Sequence, residues 1–100
     1  MTCVKLSKNG FSVNGHCTVD ADDEQGRQVC AAVSSAAYMA ANTIIEVIGD
    51  RVKSDVSDAK MTIKVENPSD KTLVVLEGFK IHLQQMAEQF PNCIKVILEV

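Results

Sequence analysis

Tryptophan is missing from this 100-residue chain and aromatic residues make up 4% of it. That excludes a core organised around rings and points to an aliphatic one. No block of lysine and arginine stands out: ten basic residues are scattered among thirteen acids, for a net charge of -3. Bulk electrostatics therefore argue against nucleic-acid binding, while leaving room for a small basic patch made by folding. The beginning, Met1-Thr2-Cys3-Val4-Lys5-Leu6, has neither an apolar signal core nor a cleavage-site pattern. The apolar run from Ala31 to Ile48 is interrupted by Ser34, Ser35, Asn42, Thr43 and Glu46, so it reads as a buried helix of a soluble protein and not as a membrane span. The four cysteines lack C-x-x-C spacing, which excludes a zinc ribbon and a thioredoxin-type motif. In a chain read as intracellular they are expected to be free thiols. No internal repeat, linker or low-complexity segment is visible.

What is present reads as one α+β domain over residues 1–100. Two short strands, Thr2 to Ser7 and Phe11 to His16, flank Asn9-Gly10, a hairpin signal. Cys17 to Gly26 holds Asp20, Asp22, Asp23 and Glu24 with almost nothing apolar, and is expected to be an exposed, mobile loop. An alanine-rich helix follows from about Gln28 to Ile48, with Gly49 as its C-terminal cap. Its circumference is almost wholly apolar or small, which predicts the central, most buried helix. A weak strand from Val52 to Val56, a clean alternation from Met61 to Glu66, a turn at Asn67-Pro68-Ser69-Asp70 and a returning strand from Thr72 to Leu76 come next. A helix from about Gly78 to Gln89, stopped by Pro91, and a strand from Cys93 to Val100 complete the pattern. The expected order is β-β-α-(β)-β-β-α-β, two helices on a mostly antiparallel or mixed sheet of about five to six strands.

Reactive thiols need a stabilised thiolate and access to solvent. Cys30 falls in the first turn of the expected long helix, where unpaired N–H groups and the macrodipole favour negative charge. It also follows directly on a polar loop through which a substrate could reach it. His16 lies at the other end of that loop, and a cysteine with a histidine in hydrogen-bond reach is the minimum set for nucleophilic acyl transfer. The backbone N–H groups of Cys30 and Ala31 are the expected oxyanion donors. The bland alternative is that Cys30 is a packing residue in an alanine-rich helix and His16 a solvated loop residue. Other constellations are weaker. Asp20, Asp22 and Glu24 mimic the start of a calcium loop, but the sixth position is Gln25 and the twelfth Ala31, where glycine and glutamate are needed. A metal site from His16, Cys17 and Cys30 lacks a fourth ligand. His82 reads as a surface or satisfied core residue, and Cys3 and Cys93 as packing.

The pattern Asn14-Gly15-His16, an acidic loop, and then Val29-Cys30-Ala31-Ala32-Val33-Ser34 resembles the ribosomal-processing cysteine protease family, whose signature is a Gly-His at a strand end followed by a Val-Cys-Ala-Ala-Val-Ser helix start. The resemblance extends over essentially the whole chain. It implies a cytoplasmic bacterial cysteine endopeptidase that removes a short N-terminal extension from a large-subunit ribosomal protein, working as a homodimer without metal or organic cofactor. It also implies Cys30 as nucleophile and His16 as general base, with Gly15, Ala31 and Ser34 in support. The loop that would close over the substrate holds Cys17, Asp20, Asp22, Asp23, Gly26 and Arg27. Ser34 would bond near the thiol or, on the bland reading, to the carbonyl four positions back. Two departures stand out: Arg27 occupies a place usually acidic in the family, and Cys17 one usually held by alanine. Arg27 keeps open a non-catalytic module that binds a ribosomal protein or the ribosome through the same cleft. Cys17 and Cys30 together would suit a redox sensor. Neither direct nucleic-acid binding nor a membrane is expected.

Overall fold

In a computed structural model that describes residues 1–15 and 24–99, the chain opens with the hairpin of β1 (Thr2–Ser7) and β2 (Gly10–Asn14). Ser7 pairs with Gly10, so the turn residues are Lys8 and Asn9, one position earlier than the Asn9-Gly10 signal suggests. Gly10 is needed for a different reason. It begins β2, and a Cβ there would collide with the Ile63 carbonyl of the adjacent strand.

Helix α1 runs over Glu24–Asn42 and continues as a π-helical turn over Thr43–Ile48. The expected cap is in place: Gly49 has φ 86° and donates its N–H to the Ile44 carbonyl at 2.9 Å. The start is four residues earlier than Gln28, so Gly26 and Arg27 lie on the helix and not in the preceding loop. The residues explain it. Glu24 suits the positive end of a helix, Gln25, Arg27 and Gln28 are good helix formers, and the buried Gly26 permits close packing. The helix is also less enclosed than its composition suggests. Gly26, Val29, Val33, Ala37, Ala40, Ala41 and Ile44 form one buried stripe, whereas Met39 and Val47 on the far side are 73% and 79% exposed. By length and composition, Glu24–Ile48 could cross a membrane; here its buried stripe packs into the core.

After β3 (Val52–Ser57) and β4 (Lys60–Val65), helix α2 occupies Asp70–Gln89. The expected strand from Thr72 to Leu76 is therefore absent, its residues forming the first turns of α2. Thr72-Leu73-Val74-Val75 looks extended by propensity, but Ser69 caps the helix and the Asp50 carboxylate fixes the cap. Asp50 Oδ2 accepts from the Ser69 N–H at 2.9 Å, the Ser69 hydroxyl at 2.9 Å and the Thr72 hydroxyl at 2.6 Å. Thr72, Leu76, Phe79, Leu83 and Met86 then recur at helical spacing as the buried face.

β5 (Ile94–Leu98) completes a five-stranded mixed sheet of order β3-β4-β2-β1-β5, with β1 and β5 parallel and the other neighbours antiparallel. The fold is α+β, two helices on this sheet in the order β-β-α-β-β-α-β. Val4, Leu6, Phe11, Val13, Met61, Ile63 and Val65 alternate onto the sheet face that the helices cover. Phe11 meets Phe79 of α2 with ring centroids 4.5 Å apart. The core is aliphatic apart from this pair. The expectation of free thiols holds for Cys30 and Cys93 but fails at Cys3, which is disulfide-bonded.

Hydrogen bonds from Thr72 and Ser69 hold the Asp50 carboxyl below its usual value of 3.8. A carboxyl depressed in the folded state contributes stability above its unfolded pKa, and that contribution is lost as pH falls through the lower folded value. Asp50→Asn is expected to lower the melting temperature at pH 7, and the difference from wild type to shrink as pH is taken below about 4. Ser69→Ala, which removes the cap hydroxyl, should cost about 1 kcal/mol in urea unfolding.

Candidate active site

Three elements meet around the Cys30 sulfur. The face of α1 supplies Cys30, Ser34 and Tyr38 at successive turns, the end of β2 supplies Val13 and Gly15, and the β3–β4 hairpin supplies Val56, Ser57, Ala59 and Lys60. Between them lies an open cleft of about 120 Å³. Gly15 is central to its geometry. A Cβ at this position would lie 3.0 Å from Cys30 Sγ and 3.6 Å from the Ala59 carbonyl oxygen. The Gly15 N–H donates to that same carbonyl at 2.7 Å. The sulfur thus rests against the backbone that leads, by one peptide bond, to His16. Ala59 accepts this bond from a turn with φ 62°, a left-handed conformation that costs a non-glycine residue about 1 kcal/mol.

Cys30 is half-buried, whereas Cys93 is 4% exposed, its thiol facing Gln25 Oε1 at 3.7 Å. The earlier start of α1 changes the reading of the helix end. Cys30 and Ala31 lie in the second turn, and the open amides of α1 are those of the first turn. The N–H groups of Cys30 and Ala31 point at carbonyls of the preceding turn, so they are not the free oxyanion donors expected from the sequence. Ala31 itself is exposed, away from the cleft. Ser34 faces the cleft, and its hydroxyl makes no hydrogen bond among the described residues, the carbonyl four positions back included. It is free to bond a group entering the cleft. Gly26 is buried in the first turn of α1, and Arg27 is exposed beside it. His16, Cys17, Asp20, Asp22 and Asp23 lie outside the described residues. His82 is exposed and lines a separate groove between α1 and α2. Tyr38 and the β3–β4 turn are cleft residues that sequence reasoning passed over. Tyr38 was findable as the residue eight after Cys30; the turn joins the site only through strand pairing.

Comparison with known proteins identifies the family and the fold. A family profile described as "Cysteine protease Prp" matches residues 1–95. The chain belongs to the Prp family of cysteine proteases, which are peptidases and hence hydrolases. Among solved structures, the essential ribosomal processing protease Prp from S. aureus, in complex with a covalently linked product peptide, is similar at 20% identity and a TM-score of 0.81. The match covers 99% of this chain and 100% of that one. The same protease in complex with a substrate peptide matches at 18% identity and a TM-score of 0.84, over 99% and 100% of the two chains. SMU.848 from Streptococcus mutans matches at 21% identity and a TM-score of 0.77, over 98% of this chain and 96% of that one. At these identities the likeness is one of fold. A search of curated proteins finds no match.

Native alkylation followed by peptide mass mapping should label Cys30 at least about tenfold faster than the buried Cys93. Gly15→Ala, whose methyl would press on the sulfur, should slow labelling of Cys30 while leaving Cys93 unchanged.

Proposed function

We propose that this protein is a cysteine endopeptidase that removes a short N-terminal extension from a large-subunit ribosomal protein, with Cys30 as nucleophile and His16 as general base. One observation carries the proposal: the Cys30 sulfur lies in an open cleft against Gly15, the residue covalently joined to His16. Family membership and the ribosomal-processing role of the S. aureus protein support it.

In this scheme His16 takes the proton from Cys30 Sγ, and the thiolate attacks the scissile carbonyl carbon. The carbon–nitrogen bond breaks, and His16 returns the proton to the departing amine. Water, activated by His16, then hydrolyses the thioester and restores the thiol. The Ser34 hydroxyl bonds substrate or thiol within the cleft. The cleft is open to an extended peptide, and Tyr38 and Val56 give its walls apolar area for side chains of that peptide. Residues 17–23, with the exposed Arg27 at the adjoining helix start, would border the bound peptide. No metal or organic cofactor enters the scheme.

The cytoplasm of a bacterium is the setting this role requires. A homodimer is part of the same proposal. The outer surfaces of the two helices expose Met39, Val47, Val74 and Ile81, an apolar set of the kind that subunit contacts bury.

Incubation with the host's ribosomal protein should release an N-terminal piece of fixed mass, read by intact-protein mass spectrometry. Cys30→Ala and His16→Ala should each lower the rate by at least about a thousandfold. Tight association with no mass loss would replace the peptidase with a binding module. Sedimentation should give twice the chain mass, falling to the single-chain mass in Met39→Glu/Val47→Glu.

A further inference from the structure

The net charge of -3 hides a separation of charge that the strand register creates. On the sheet face opposite the helices, residues meet in three rows across the strands. One row runs Lys95, Cys3, Asn14, Lys60, Ser57; the next Ile97, Lys5, Ser12, Thr62, Asp55; the third Ser7, Gly10, Lys64, Lys53. Five of the ten basic residues, Lys5, Lys53, Lys60, Lys64 and Lys95, thus stand on one open face. All five are exposed. Asp55 is the single acid the strands bring to it, with Glu66 and Glu99 just past the ends of β4 and β5. Lys53 and Lys64 are direct cross-strand partners. Like charges so placed are destabilising unless something neutralises them. Lys80 pairs with Glu77 on α2, and among the described residues no acid forms an ion pair with these five lysines. Lys53 and Lys64 also flank an open concavity of about 540 Å³, bordered by Glu66, Asn67 and Pro68.

We propose that this sheet face binds the phosphodiester backbone of a folded RNA, without reading its sequence. The chemistry of the face selects that occupant. Strand spacing and rise put the lysines in a field of roughly 13 by 19 Å, which fits several phosphates along one side of a duplex. Between the lysines stand Ser12 and Thr62, whose short polar side chains are of the kind that contact phosphate and sugar. The face carries no aromatic ring, so it has no platform for stacking unpaired bases. Among the described residues its one large apolar side chain is the half-buried Ile97, whereas proteins insert into a lipid surface with exposed apolar anchors. The expectation that the chain avoids nucleic acid came from its summed charge. Among the described acids, Glu24, Glu46, Asp70, Glu77 and Glu88 lie on the helices, away from the face on which the five lysines stand. Because the cleft at Cys30 opens on the helix side, this binding does not depend on the peptidase reading.

The test is fluorescence anisotropy of the full chain with a labelled 20-base-pair RNA duplex of arbitrary sequence, across a sodium chloride series. Binding in the micromolar range at low salt is expected, with log K falling against log salt at a slope of about -3 to -4. Lys5→Gln/Lys53→Gln/Lys64→Gln should weaken binding at least about tenfold and reduce the slope by about 2 to 3. Lys60 is left in place because it also borders the cleft. The matching triple arginine variant should retain binding, and Asp55→Asn should tighten it. The alkylation rate of Cys30 in the triple glutamine variant should equal that of wild type, which reports an intact fold. The proposal is overturned by salt-independent or absent binding, or by equal affinity in wild type and the triple glutamine variant. It is equally overturned by displacement of RNA by polyglutamate at matched charge, or by preference for phosphatidylserine vesicles over RNA.

Discussion

The constraint on which the site depends is that position 15 carries no side chain. The Cys30 sulfur and the Ala59 carbonyl converge on the end of β2; a Cβ there would press on the sulfur at 3.0 Å, while meeting the carbonyl oxygen at an ordinary contact distance of 3.6 Å. Three pieces of chain far apart in sequence are locked at that point. The buried stripe of α1 sets the height of the sulfur above the sheet, the Gly15–Ala59 hydrogen bond sets the end of β2, and the left-handed turn at Ala59 presents the accepting carbonyl. A fault in any one of them is felt at the thiol. Backbone strain at Ala59 therefore lies beside the group whose chemistry the fold presents, a common location for tolerated strain.

Much of this was legible beforehand because it depends on local pattern. The hairpin of β1 and β2, the alternation in β4, the small-residue helix ending at Gly49, and the Gly-His and Val-Cys-Ala-Ala-Val-Ser motifs are all short-range signals. What was not legible depended on partners distant in sequence. Thr72 to Leu76 has the composition of a strand and becomes helix because Asp50, twenty-two residues away from Thr72, organises the cap. The start of α1 was hidden by acids and a glycine that mimic a loop, and that shift moved Cys30 from the open first turn to the second. The alanines of α1 looked like a residue set for complete enclosure, yet one stripe suffices to cover a five-stranded sheet that α2 also covers. The gathering of lysines was invisible for the same reason: it exists only once β3, β4, β2, β1 and β5 are in register.

The two faces of the sheet divide the labour of the chain. On one, aliphatic side chains bind the helices and bring the thiol to the mouth of a cleft. On the other, the same strands display charge and short polar groups to solvent. Strand geometry makes the two inseparable, since alternate residues of each strand serve opposite sides, and a slip of one residue would turn the core outward and the lysines inward.

The parallel pairing of β1 with β5 joins residues about ninety positions apart, Thr2 with Ile94 and Leu6 with Leu98. Emerging from the ribosome, β1 can make its hairpin with β2 early but waits for nearly the whole chain before its other flank is covered. Until then a strand destined for the interior of the sheet is an open edge, able to pair with a neighbouring nascent chain. Such distant closure is a slow step, because the loop entropy is lost before the contact is gained. Closure of the sheet at its β5 edge is thus a late event in the life of the polypeptide.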